Sequence, residues 1–166
     1  MIIGIPKEIK SNENRVSILP FGVDELVKSG HKVIIEASAG LGSGFSDDMY
    51  ASFGAEIVSK AKDVYDKSDL IVKVKEPQES EYSLIKENQM VFTYFHFAAE
   101  EKLLKGMIDS GCTAIAYETV QDQNGKLPLL IPMSEVAGRL AVINGSKCLE
   151  ENMGGKGKLI SGVSGV

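Results

Sequence analysis

The stretch Leu70-Ile71-Val72-Lys73-Val74-Lys75-Glu76-Pro77 is a short apolar run that ends in charged residues and a proline. A run of this length, rich in β-branched residues, predicts a strand that is buried on both faces of a parallel sheet. Lys75 then stands where the strand gives way to a loop. Open α/β sheets bind ligands outside the carboxyl ends of their strands. The stretch therefore predicts both a type of sheet and the edge where a ligand binds.

Similar runs lie on both sides of this stretch, at residues 2–5, 32–36, 56–58, 90–94 and 113–117. Segments with helical spacing separate them, at residues 21–29, 60–65 and 100–109, and Ser46 followed by two aspartates predicts a further helix start. This alternation predicts an α/β fold, with a mostly parallel sheet covered by helices on both faces.

The end of the chain differs from this pattern. Residues 133–149 predict a long helix that Pro132 opens, with Val136, Leu140 and Ile143 on related faces. Residues 150–157 are polar and rich in glycine, which is typical of a boundary or linker.

The composition limits the classes of protein. A chain of 166 residues with 43% hydrophobic residues can bury one sizeable core. The net charge of -5, without a basic stripe, argues against a nucleic-acid partner. Cys112 and Cys148 stand far apart without metal-site spacing, so we expect reduced thiols and no metal. No apolar run approaches the length of a membrane span, and no leader pattern opens the chain, so we expect a soluble, cytoplasmic protein.

The two histidines differ in their position. His96 directly follows a predicted buried strand, at the sheet edge where ligands bind. An imidazole there can exchange a proton near neutral pH, but a histidine that caps a strand and binds backbone has the same spacing. His31, next to Gly30, is interpreted as a solvated turn residue.

Three cationic or proton-active groups follow three different predicted strands. Arg15 lies in the loop after the first strand, and guanidinium forks match carboxylates in a bidentate way. Because side chains alternate along a strand, Lys73 and Lys75 are predicted to lie on the same side of theirs. One of them could point into a crevice and polarise a carbonyl or bind a carboxylate. Alternatively, both simply extend their ammonium groups to water at the strand end. Taken with His96, these groups predict one crevice for a small anionic carbonyl compound.

The segment Gly40-Leu41-Gly42-Ser43-Gly44-Phe45 superficially resembles a phosphate-binding loop. Phe45 stands where the GxGxxG fingerprint requires its third glycine. We interpret the segment as a structural turn that leads into Ser46. The fold is therefore Rossmann-like but lacks the dinucleotide fingerprint.

Several collinear segments together resemble the alanine dehydrogenase family over nearly the whole chain. They are GIPKE at 4–8, ENRV at 13–16, KVKEP at 73–77, FTYFH at 92–96 and PMSEVAGR at 132–139. Ile131 and Ser164 depart from the family pattern without touching a predicted site residue. Members of this family interconvert L-alanine and pyruvate plus ammonia with NAD.

The resemblance also implies roles and an organisation. Arg15 and Lys75 would hold the substrate carboxylate and carbonyl, His96 would be the general acid and base, and Ser134 would reach NAD across an interdomain cleft. Residues 1–132 would form the substrate-binding domain, 133–150 an interdomain helix, and 151–166 a linker and the start of an NAD-binding domain. The family further implies a homo-oligomer, and a longer enzyme of which this chain would be an inactive fragment.

Other interpretations remain open at this point. The nucleotide-binding component of a proton-translocating transhydrogenase shares the fold and the pattern around Arg15, although His96, Lys75 and residues 117–120 favour alanine dehydrogenase. A saccharopine dehydrogenase-like enzyme is more distant. A non-catalytic module that binds a small ligand is the interpretation from a different class.

Overall fold

The computed structural model describes residues 1–164 and contains one six-stranded sheet. Its strands are β1 (Ile2–Ile5), β2 (Lys32–Glu36), β3 (Glu56–Val58), β4 (Leu70–Lys75), β5 (Met90–Tyr94) and β6 (Thr113–Ala116). They lie in the order β3-β2-β1-β4-β5-β6, and every neighbouring pair is parallel. The predicted strands are confirmed, except that β6 ends one residue early because Tyr117 begins a 3₁₀ turn.

The helices are α1 (Pro20–Lys28), α2 (Asp47–Ser52), α3 (Ala61–Lys67), α4 (Glu79–Tyr82), α5 (Glu101–Ser110) and α6 (Ile131–Leu149). The Ser46 side chain accepts a hydrogen bond from the backbone N–H of Met49, which confirms it as the cap of α2. Helix α4 was not predicted, because four residues are too few to display a helical period.

Helices cover both faces of the sheet, as predicted. On β2, Ile34 packs in a cluster with residues of α3 and α5, such as Val64 and Leu103. Its neighbours Val33 and Ile35 pack in a second cluster that includes Val23 of α1. Successive strand residues point to opposite faces, so the two clusters are the cores on the two sides of the sheet.

The chain divides into two compact units, of which the first is Met1–Glu118 and the second begins at Thr119. The first unit holds the whole sheet and helices α1 to α5. The second holds α6, which has no buried residue among those described. The domain boundaries implied at residues 132 and 150 stay a prediction. Across residues 1–164 no helix combines the length and the apolar character that crossing a membrane requires.

Candidate functional site

The strand order places a crevice beside β1. This strand pairs with β2 on one side and with β4 on the other. The chain continues from β1 to β2 and from β4 to β5, so the connections after β1 and β4 run in opposite directions along the sheet. In doubly wound sheets such a switch point opens a crevice at the carboxyl ends of the two central strands. Arg15 follows β1 and Lys75 ends β4, while His96 follows β5, the next strand along the sheet. The topology thus puts the three predicted residues at one sheet edge.

Arg15 is held by a carboxylate two residues before it. Its Nε and Nη2 atoms donate to the two oxygens of Glu13 at 2.8 and 2.6 Å, and its backbone N–H donates to the same carboxylate at 2.9 Å. The Glu13 side chain is only 7% exposed, whereas that of Arg15 is 45% exposed. These hydrogen bonds raise the pKa of Arg15 and lower that of Glu13. The guanidinium is therefore a charged group with a fixed orientation that faces solvent.

The glycine stretch at 40–44 supports the loop that carries Arg15. It forms a 3₁₀ turn, Leu41–Ser43, and the Ser43 hydroxyl donates to the carbonyl of Asn14 at 3.1 Å. A Cβ atom at Gly42 would lie 2.5 Å from the same carbonyl oxygen, so only glycine allows this approach. The stretch is a structural turn, as interpreted from its sequence. A cavity of about 170 Å³ between the two loops is lined by Glu13 and Arg15.

The two lysines of β4 have different environments. Lys73 is fully buried, and its ammonium lies 3.3 Å from Glu8 and 3.0 Å from Glu81. Lys75 is partly exposed. The pKa of Glu13 is lowered mainly by Arg15 and, to a smaller extent, by the charge of Lys75. Arg15 and Lys75 therefore act on one carboxylate, and of the two lysines Lys75 is the candidate for the crevice.

His96 has an unusual backbone conformation. Its φ of 54° and ψ of 40° lie in the left-handed region, which residues other than glycine rarely adopt. Its backbone N–H donates to Glu118 at 2.7 Å, and its exposed ring stacks on Tyr94 with centroids 6.1 Å apart. Strained backbone of this kind persists where its surroundings fix it, often at functional sites.

The remaining predicted residues are less informative. Ser134 is exposed in the first turn of α6, where its backbone N–H donates to the carbonyl of Leu130 at 3.0 Å. His31 lies in the turn before β2, but it is half-buried rather than fully solvated, and its Nδ1 atom has no hydrogen-bond partner among the described residues. Cys112 and Cys148 are free thiols, and residues 1–164 contain no group of side chains arranged to hold a metal.

Four acidic or aromatic residues around the site were not singled out as site residues from the sequence. They are Glu8, Glu13, Tyr94 and Glu118. Glu13 and Tyr94 each stand two residues before a predicted site residue, and that spacing was the available signal. Glu8 and Glu118 contact partners 66 and 22 residues away, which local pattern does not reveal.

The all-parallel strand order, with β1 and β4 in the centre and a core on each face of the sheet, defines the class of doubly wound α/β domains. Within that class, the family described as "Alanine dehydrogenase/PNT, N-terminal domain" matches residues 4–137, and the chain belongs to this family.

Relatives agree with this assignment. The alanine dehydrogenase of Methanococcus maripaludis is 55% identical over all 166 residues, which are 44% of its own length. A solved L-alanine dehydrogenase structure is 50% identical over the whole chain and 46% of its own, with a TM-score of 0.87. A transhydrogenase from Sinorhizobium meliloti is 32% identical over 74% of this chain and 36% of its own, with a TM-score of 0.69. The chain thus spans less than half the length of the alanine dehydrogenases that it matches.

Proposed function

We propose that this chain is the substrate-binding portion of an NAD-dependent alanine dehydrogenase, which interconverts L-alanine and pyruvate plus ammonia. The observation that carries the proposal is the placement of Arg15, Lys75 and His96 after three neighbouring strands at a topological switch point. Membership of the family and the 55% identity to an alanine dehydrogenase support it. The transhydrogenase alternative has weaker support, because that relative is less similar over a smaller part of the chain.

The three side chains divide the chemistry among them. The Arg15 guanidinium binds the substrate carboxylate, since its orientation is fixed by Glu13. The Lys75 ammonium lies beside the carbonyl or imine and stabilises the negative charge that develops there. The His96 imidazole gives or takes the proton that accompanies reduction or oxidation at this carbon.

NAD supplies the hydride in such an enzyme, and the described residues do not form its binding platform. The glycine stretch at 40–44 packs against Asn14, and Phe45 breaks the dinucleotide fingerprint. We propose that NAD binds mainly to the part of the enzyme that corresponds to the remaining length of the alanine dehydrogenase relatives, with Ser134 as the contact from this chain.

Activity tests need a complete enzyme. For these tests this chain is fused to the part of the Methanococcus maripaludis alanine dehydrogenase that it does not match, and the fusion is called the assembled enzyme. The 55% identity of the matched part favours a fusion whose two parts fit each other. Steady-state oxidation of NADH with pyruvate and ammonia measures its kcat and KM. Absence of turnover in a folded assembled enzyme would contradict the proposed function.

Arg15→Ala in the assembled enzyme is expected to raise the KM for pyruvate much more than it lowers kcat. A hydrogen bond to a charged group contributes about 1.5–3 kcal/mol, which corresponds to about 10-fold to 100-fold in affinity. Lys62→Ala, which removes an exposed cation paired with Asp66 on α3, is the control and should change KM by less than about twofold. An Arg15→Ala variant with unchanged KM would remove Arg15 from the substrate site.

We also propose that the chain functions in the cytoplasm as part of a homo-oligomer. Helix α6 exposes Val136, Leu140 and Ile143, which lie on one face at spacings of four and three residues. An apolar face of this kind is typical of a protein contact.

Leu140→Glu is therefore expected to weaken self-association, because it puts a charge into an apolar contact. Light scattering over a range of concentrations should show a larger species for the wild-type chain and a shift toward monomer for the variant. Ala141→Glu adds the same charge at an exposed position of the same helix that lies off this face, and it is the control. A wild-type chain that is monomeric at high concentration would oppose the proposal.

A further inference from the structure

The end of β4 is irregular at the position that presents Lys75. The register of β4 against β5 is regular as far as Val72, and it shifts before Lys75 meets Tyr94. On the other side, β1 pairs with β4 only at Ile3 and Gly4. The carboxyl end of β4 therefore needs hydrogen-bond acceptors from outside the regular ladder.

Glu8 supplies an acceptor for this segment. One oxygen of its carboxylate, Oε1, accepts from the backbone N–H of Val74 at 2.6 Å and lies 3.4 Å from that of Lys75. Glu8 belongs to the loop after β1, the loop that also carries Arg15. Its side chain thus joins the two segments that flank the crevice.

The second oxygen of Glu8 is anchored in the interior. It lies 3.3 Å from the ammonium of Lys73, which is fully buried and also binds Glu81 at 3.0 Å. Glu81 in turn accepts from the hydroxyl of Tyr65 at 2.9 Å. Burial raises the pKa of Glu8, and the charge of Lys73 opposes that rise. A buried ion held by several partners has little freedom to move, since losing one partner leaves a charge uncompensated.

We infer that Glu8 is a positioning residue, which fixes the end of β4 and thereby the direction of Lys75 relative to Arg15. The inference rests on the proposed function, since it gives Glu8 a role in the same site. Glu8 does not itself touch the substrate in this account. Its effect on the reaction passes through Lys75, and this distinguishes it from a residue that only stabilises the fold.

The test compares Glu8→Gln with Glu81→Gln in the assembled enzyme. Both variants remove one carboxylate from buried Lys73, but only Glu8 contacts the backbone of Val74 and Lys75. A glutamine has one oxygen and one NH2 group, so it cannot accept from both the Val74 N–H and the Lys73 ammonium, and one of the two contacts is lost. Glu8→Gln is therefore expected to lower kcat/KM by about tenfold or more, because small misplacements of a substrate-binding group are costly. Glu81→Gln is expected to have a clearly smaller effect. Equal losses for both variants would overturn the inference.

A double-mutant cycle tests whether Glu8 acts through Lys75. In a Lys75→Ala background, Glu8→Gln should lower kcat/KM by less than about twofold, since the group that it positions is gone. If Glu8→Gln lowered kcat/KM in the Lys75→Ala background by as much as it does in the wild-type background, the inference would be overturned. If Glu8→Gln does not fold, Glu8→Asp keeps the charge for Lys73 and withdraws the carboxylate from Val74. Wild-type kcat/KM for a folded Glu8→Asp would then overturn it.

Hydrogen exchange separates this inference from the proposed function. In the 166-residue chain, the backbone amides of Val74 and Lys75 should exchange faster in Glu8→Gln than in Glu81→Gln, as measured by NMR. Equal exchange in the two variants would overturn the positioning role. If the wild-type assembled enzyme were inactive, that result would count against the proposed function. The exchange rates of the Val74 and Lys75 amides would still decide whether Glu8 fixes the end of β4.

Discussion

His96→Ala in the assembled enzyme is expected to lower kcat by about 100-fold to 10,000-fold, the usual contribution of general acid and base catalysis. The KM for pyruvate should change far less, because in the proposed site Arg15 and Lys75, and not His96, bind the substrate carboxylate and carbonyl. Stopped-flow or steady-state oxidation of NADH measures both constants. Wild-type turnover in this variant would remove His96 from the mechanism.

Two controls isolate the imidazole of His96. His96→Asn tolerates the left-handed backbone at φ 54°, so it separates loss of the ring from backbone strain, and it should be as impaired as His96→Ala. His31→Ala removes the other histidine of the chain, in a turn outside the site, and should retain kcat. If His96→Asn were active, the histidine would matter for its backbone conformation and not for proton transfer.

The chain alone is expected to give no measurable oxidation of NADH with pyruvate and ammonia, whereas the assembled enzyme turns over. On the proposed function, these residues bind the substrate and NAD binds mainly to another part of the enzyme, so the chain alone would receive no hydride. The chain should nevertheless fold, because its sheet has a core on each face, and circular dichroism should show mixed helix and strand with cooperative unfolding.

Turnover by the purified 166-residue chain, free of any longer enzyme, would contradict this expectation. It would require a nucleotide site within the chain itself. The glycine stretch at 40–44, which packs against Asn14, would be the candidate for that site. Substituting Gly44, whose φ of 84° requires glycine but which has open space around it, would test that site separately.

The sheet was predictable because each strand is a compact apolar run between polar breaks, as in Leu70–Lys75. Such runs are typical of strands in a covered parallel sheet, and β1, β2 and β4 are largely buried as this predicts. The edge strands β3 and β6 have no buried residue, although their sequences are also apolar runs. The order of the strands was not predictable in this way, since it depends on pairings between segments distant in sequence. The switch point beside β1, which gives Arg15 and Lys75 their common edge, emerged only from the structure.

The supporting residues of the site were hidden for the same reason. Glu8 contacts Val74 across 66 positions, and Lys73 contacts Glu81 through a four-residue helix without a visible period. By local pattern Lys73 and Lys75 were equivalent, and only burial distinguishes the lysine that completes an interior ion pair from the lysine at the crevice. The sequence identified the chemical groups, and only the packing shows that Lys73 lies in the interior and Lys75 at the end of β4.

We propose that Arg15, Lys75 and His96 form one site for a small anionic carbonyl compound. The most direct measurement is a titration of the isotopically labelled chain with pyruvate, followed by NMR. Saturable shifts should appear at these three residues and be lost in Arg15→Ala but not in Lys62→Ala. Shifts confined to other parts of the chain, or the same shifts with Arg15→Ala, would contradict the site.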